Sequence, residues 1–165
     1  IGLFNGLLGL FGIQGPAWLA NQYWAMPAII IMGLWGVGNS VVILLAGLQG
    51  VPAQLYDAAK IDGAGEFRCF WHVTAPMMTP SLFFLLIIGI IGAFQIFTQP
   101  FVMTEGGPNN ATMTYVIQIY NKGFVQFRFG YAAALAWLLF AIILIFSLVA
   151  IRLTIRHVYY EGEAR

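Results

Sequence analysis

Three long stretches of this chain contain no Asp, Glu, Lys, Arg or His: Pro27 to about Leu48, about Pro80 to Phe97, and about Gly130 to Ile151. The hydrocarbon core of a bilayer is about 30 Å thick, and a helix rising about 1.5 Å per residue needs roughly 20 apolar residues to cross it. The stretches therefore predict three transmembrane helices and an all-α, polytopic helical membrane protein. The second is short for a full crossing, and Met77 and Met78 or the residues after Phe97 are expected to complete it. Composition agrees: 61% of residues are hydrophobic and 8% charged, where an ordinary soluble domain carries about 25% charged residues. Such a chain has too few polar groups to cover a water-facing surface.

The ionised groups that remain are unevenly placed. A polar segment from Val51 to Pro80 carries Asp57, Lys60, Asp62, Glu66 and Arg68 between the first two apolar stretches. Lys and Arg next to a span are retained on the cytoplasmic side during insertion. Lys60 and Arg68 precede the second span and Arg152, Arg156 and Arg165 follow the third, whereas Lys122 and Arg128 lie in the loop between. This bias predicts residues 1–26 outside, a helix over 27–50, a cytoplasmic loop over 51–79, a helix over 80–97, an outer loop over 98–129, a helix over 130–151 and a cytoplasmic tail over 152–165. Together they make one transmembrane domain in a multi-pass membrane protein.

Ile1 to Ile13 is apolar and glycine-rich, and Pro16 to Trp24 supplies a turn and the surface-seeking aromatics Trp18, Tyr23 and Trp24. This end reads as an interfacial helix and loop. It has no initial Met, no basic n-region and no small-residue cleavage site, so no signal peptide is expected and the chain is expected to be truncated here.

Several functions are excluded. A formal net charge of +1 and the lack of a basic stripe argue against nucleic acid. The single cysteine, Cys69, precludes an internal disulfide, and without Cys or His neighbours at ligand spacing no metal site is expected. His72 and His157 are isolated and read as surface or packing residues, and Asn110-Ala111-Thr112 matches a sequon of a kind common by chance. Gly33, Gly36 and Gly38 lie in a span and imply no dinucleotide loop. No catalytic residue is expected, because no span holds a His, Asp, Glu or Cys able to do chemistry.

The polar segment predicts two short helices. Pro52 can start the first, and Gln54 to Ala64 then places Leu55, Ala58, Ala59 and Ile61 on or near one face. Gly63 and Gly65 break it, and Gly63 is expected to turn the chain with positive φ, where glycine escapes the steric cost; an ordinary helix end would look the same. A second helix from Glu66 to about Val73 is expected to stop at Pro76. Ala58 and Ala59 leave a smooth patch on which another backbone can approach.

Asp57-Ala58-Ala59, Asp62-Gly63-Ala64 and Val73-Thr74-Ala75-Pro76 occur at the spacing of the E-A-A, D-G-A and I-T-L-P signature, and the chain resembles the inner-membrane permeases of binding-protein-dependent ABC transporters. Leu45 to Gln49, Thr104 to Thr112 and Gly130 to Ala134 are similar to the carbohydrate-importing branch. Asp57 stands where the family has Glu, and Ala75 where it has Leu. The resemblance covers essentially the whole chain but the carboxy-terminal half or so of a usual six-span member. It implies that Asp57, Ala58, Ala59, Asp62, Gly63 and Ala64 form the coupling helix seated in a cleft of an ABC ATPase subunit. Taken singly, these residues would read as helix filler and a solvated face. It further implies a dimer of ATPase subunits that bind ATP, a second permease subunit, an extracytoplasmic solute-binding protein and a bacterial inner-membrane location. This chain would hold no cofactor and be no enzyme, and it lacks the Walker lysine motif that cradles ATP.

A solute path is less legible. Phe94, Gln95, Phe97 and Gln99 mix rings that stack on apolar sugar faces with amides that bond hydroxyls, although lipid-facing or core packing is the simpler reading of the aromatics. Gln95 is the best pore candidate, since an unsatisfied amide in apolar surroundings costs about 1–3 kcal/mol. Asn39 in the first span supports the same reading or serves as interhelical glue. Spans without ionisable groups argue against proton or ion coupling, so the drive is expected to come from outside the membrane. A structural or assembly subunit is the alternative reading.

Overall fold

The computed structural model describes residues 2–154, so Arg156, His157, Arg165 and most of the expected tail lie outside the described residues. The described chain is helical throughout its long elements. Three stretches are long and apolar enough to cross a membrane: Ala25–Gln49, Thr79–Thr104 and Phe129–Thr154. At 25, 26 and 26 residues each exceeds the roughly 20 residues that a helix needs to cross a hydrocarbon core.

The chain divides into two units, one comprising residues 2–35 and 94–140 and the other residues 36–93 and 141–154. In the first, α1 (Leu3–Leu10) is followed by a turn and then α2 (Ala25–Gly33). Asn5 ties this end together: its Nδ2 donates to the Pro16 carbonyl at 3.0 Å and its Oδ1 accepts from Trp18 Nε1 at 2.7 Å. α2 packs on α8 (Thr98–Thr104). Ala25 and Ile29, one helical turn apart, are buried at 0% and 1% exposure, whereas Ile30, Ile31 and Met32 face outward. α9 (Tyr115–Tyr120) buries Ile117 and runs into a π-helical turn, Asn121–Val125. There Gly123 approaches α10 (Phe129–Thr154) so closely that a β-carbon on it would lie 3.2 Å from Ala132 Cβ.

In the second unit a short 3₁₀ turn, Leu34–Gly36, leads into α3 (Val37–Gln49). α4 (Ala53–Ile61) and α5 (Glu66–Cys69) follow, then a π-helical turn (Phe70–Thr74), α6 (Ala75–Met77) and α7 (Thr79–Phe94). Cys69, Met78 and Ile143 are its buried apolar side chains.

Two local expectations change. Pro76 does not stop the second short helix; it sits inside α6. A proline within a helix offers no N–H to the carbonyl four residues earlier and crowds it. The chain accommodates this by widening the preceding turn, where the Ala75 N–H bonds Phe70 O, five residues back. The second long apolar stretch is likewise not one regular helix: Gln95, Ile96 and Phe97 are non-helical between α7 and α8, with Phe97 at φ −131 and ψ −56.

Candidate functional site

The polar loop is a helix, a tight corner and a second helix, and hydrogen bonds specify the corner fully. Asp62 caps α4, Gly63 follows at φ +76, the Gly63 N–H bonds Lys60 O at 3.0 Å and the Ala64 N–H bonds Ala59 O at 2.9 Å. This is a Schellman motif, in which a residue of left-handed conformation lets two orphan helix carbonyls find donors. Asp62-Gly63-Ala64 thus has a mechanical meaning: helix cap, left-handed turn, first residue beyond. Gly65, extended at φ −73 and ψ 169, then caps α5.

The corner sorts the expected coupling residues by direction. Asp57, Ala58, Asp62 and Gly63 are exposed, while Ala59 and Ala64 are half-buried. α4 turns Pro52, Tyr56 and Ala59 inward, at the four- and three-residue intervals of one helix face. Its outer face shows Leu55 and, at 87% exposure, Ile61 beside the carboxylates of Asp57 and Asp62.

Beneath the corner lie contacts that the motif spacing does not announce. Tyr56 Oη is 2.8 Å from Thr74 Oγ1, across 18 residues of sequence. The buried Cys69 thiol points to the Ala64 carbonyl at 3.7 Å, and His72 Nδ1 lies 3.0 Å from Arg68 O. Phe67, Phe70 and Trp71 form an exposed edge-to-face cluster. Two hydroxyl-bearing residues 18 apart give no periodic signal, which is why this pair is invisible in the sequence.

The structure gathers Phe94, Gln95 and Gln99 around the interruption between α7 and α8. Phe94 is half-buried, and Gln95 and Gln99 are exposed. Asn39 is exposed on α3. Just past the interruption, Phe97 stacks on Phe101 with centroids 4.8 Å apart, and Tyr120 packs against both at 5.6 and 5.1 Å.

The loop after α8 is held by side-chain hydrogen bonds. Glu105 and Gly106 take left-handed conformations, at φ 51 and 87. Thr112, fully buried, has its Oγ1 2.7 Å from Gly107 O and 2.6 Å from Thr104 Oγ1, and the Asn109 amide donates to Gln22 Oε1 at 3.0 Å.

This geometry has known counterparts. Residues 3–157 match the family described as binding-protein-dependent transport system inner membrane component. The chain is 36% identical over 153 residues to the sulfoquinovosyl glycerol transport system permease protein SmoG of Agrobacterium fabrum, covering 92% of this chain and 50% of that protein. It is 40% identical over 153 residues to the diacetylchitobiose uptake system permease protein NgcF of Streptomyces coelicolor, covering 88% and 43%. The chain spans about half the length of the curated relatives it matches. Its fold is similar to a chain of a bacterial ABC transporter involved in the import of the acidic polysaccharide alginate, with TM-score 0.82, 23% identity and coverage of 94% of this chain and 55% of the other. A family model matches nearly all of the chain, and its relatives are transport permeases: this chain belongs to the binding-protein-dependent transport system inner membrane components.

Proposed function

We infer that the chain forms part of the transmembrane permease of an ATP-driven importer in the bacterial inner membrane, carrying a sugar or sugar-like solute. The observation that carries this reading is the exposed α4 corner. A Schellman turn flanked by apolar helices holds Asp57, Ala58, Asp62 and Gly63 outward, the arrangement needed for seating in a cleft of an ATPase subunit. The partners on this reading are two such ATPase subunits, which bind the ATP, a second permease subunit and an extracytoplasmic solute-binding protein. Relatives named for sugar-containing solutes support the substrate class, and the related alginate transporter is known in complex with a periplasmic protein bound to alginate pentasaccharide.

Gln95, Gln99 and Phe94 are the candidates for the solute path at the interruption, and Asn39 is a separate candidate on α3. An exposed amide beside a non-helical stretch is costly against lipid, since irregular backbone at membrane depth is tolerated where it is covered by protein or lines a watery cavity. Discontinuous helices are a recurrent way to build solute sites in transporters. ATPase closure moves α4, and the attached helices alternate the opening of this path.

The test uses the full-length permease with its ATPase and binding protein. Ala58→Cys should cross-link to an engineered cysteine on the ATPase in a nucleotide-dependent manner, and replacing residues 57–64 should abolish solute uptake while leaving membrane insertion intact. Labelling of Ala58→Cys from the outside, or normal uptake after the replacement, overturns the reading. A passive assembly subunit would show the second result.

A further inference from the structure

We propose that Tyr56 and Thr74 are positioning residues whose hydroxyl pair makes the coupling loop move as a single lever. The inference rests on the coupling role of the α4 corner. The path from that corner to α7 is mechanically weak. It passes the Gly63 corner and the π-helical turn Phe70–Thr74, then Pro76 inside α6 and a non-helical residue, Met78, before α7 begins at Thr79. A regular α-helix transmits displacement along an unbroken ladder of hydrogen bonds; the Gly63 corner interrupts that ladder and the π-helical turn widens it, whereas past Thr74 the Met78 N–H still bonds Thr74 O at 3.0 Å. Displacement of α4 would be absorbed in the corner and the widened turn unless something bridged them.

The Tyr56–Thr74 contact is that bridge. Tyr56 leaves α4 from its inner face, adjacent in sequence to exposed Asp57 but turned the other way, and its hydroxyl meets Thr74 Oγ1 at 2.8 Å. Thr74 is the last residue of the π-helical turn, so the strap bypasses both the Gly63 corner and that turn and ends short of Pro76. Below it, the Thr79 hydroxyl donates to Pro76 O at 2.7 Å and ties the start of α7 to the proline turn. Docking residues face out and the strap faces in. The two functions are therefore separable by mutation.

The complete transporter, reconstituted with ATPase and binding protein, is assayed for ATP hydrolysis and solute uptake in the same vesicles. Tyr56→Phe and Thr74→Val should each lower solute carried per ATP about fivefold, the ratio set by one net hydrogen bond. ATPase rate and Ala58→Cys cross-linking should be retained. Thr74→Ser keeps the hydroxyl and should restore the ratio, and the double variant should be no worse than either single one. An unchanged ratio in Tyr56→Phe, equal damage by Thr74→Ser and Thr74→Val, or parallel loss of hydrolysis and uptake overturns the proposal. Normal cross-linking with an unchanged ratio defeats the strap alone, whereas absent cross-linking in the unmodified loop defeats the coupling reading beneath it.

Discussion

Gly47 on α3 and Ser81 on α7 meet without room for a side chain on the glycine. A β-carbon at Gly47 would collide with Ser81 Oγ and lie 3.1 Å from Ser81 Cβ and 3.5 Å from Met78 Sδ. Both residues flank the polar loop, so this contact fixes the spacing of the helices from which the loop hangs. Small residues at such crossings let membrane helices approach closely. Gly47→Val should destabilise the protein by about 1–3 kcal/mol, the cost of overpacking. Thermal unfolding of the purified complex measures it, and Ser81→Gly in the same background should recover part of the loss.

At the loop corner the cost of substitution lies in the backbone alone. Gly63 has φ +76, yet nothing lies within 4 Å of a β-carbon placed there. Gly63→Ala should therefore cost about 1–2 kcal/mol through the left-handed conformation, and Gly63→Asn less, since Asn tolerates it. Proline cannot adopt positive φ at all. Uptake by the complete transporter should rank Gly, Asn, Ala, Pro, with the proline variant inactive.

Gln95 tests the solute path. Gln95→Leu keeps the bulk and removes the amide at the interruption between α7 and α8. If that amide bonds a sugar hydroxyl, uptake should fall about tenfold for the loss of about 1.4 kcal/mol, with ATPase assembly unchanged. Unaltered uptake would place Gln95 outside the path.

Thr112 holds the loop after α8. Thr112→Val preserves shape and deletes the hydroxyl that reaches Gly107 O and Thr104 Oγ1, which should destabilise the loop by about 1–3 kcal/mol. Amide hydrogen exchange should rise at Thr112, whose N–H bonds Gly106 O at 3.2 Å. Thr112→Ser should exchange nearly as slowly as the parent.

What could be read before any coordinates follows from local physics. Charge-free apolar runs announce long membrane helices because burying an ionised group in hydrocarbon is so costly that their absence is conspicuous. Gly63 announced its positive φ because a corner between two helices needs a residue without a β-carbon. The motif spacing around Asp57 and Asp62 is equally local, since one helix and one turn generate it.

Other features depend on what each residue meets. Pro76 read alone ends a helix; in place, a π-helical turn upstream lets the helix continue, an adjustment that no single residue encodes. The interruption at Gln95 to Phe97 sits in a stretch whose hydropathy never falters, so periodicity passes over it. The Gly47–Ser81 approach and the Tyr56–Thr74 bond join residues that only the folded path of the chain makes neighbours. Sequence alone determined that the chain enters a membrane, how many long apolar helices it offers and where the polar corner falls, because solvation and backbone sterics act residue by residue. Tertiary structure decided which side of α4 faces outward, where the second long helix breaks and what bridges the weak joint, because packing acts between residues far apart in sequence.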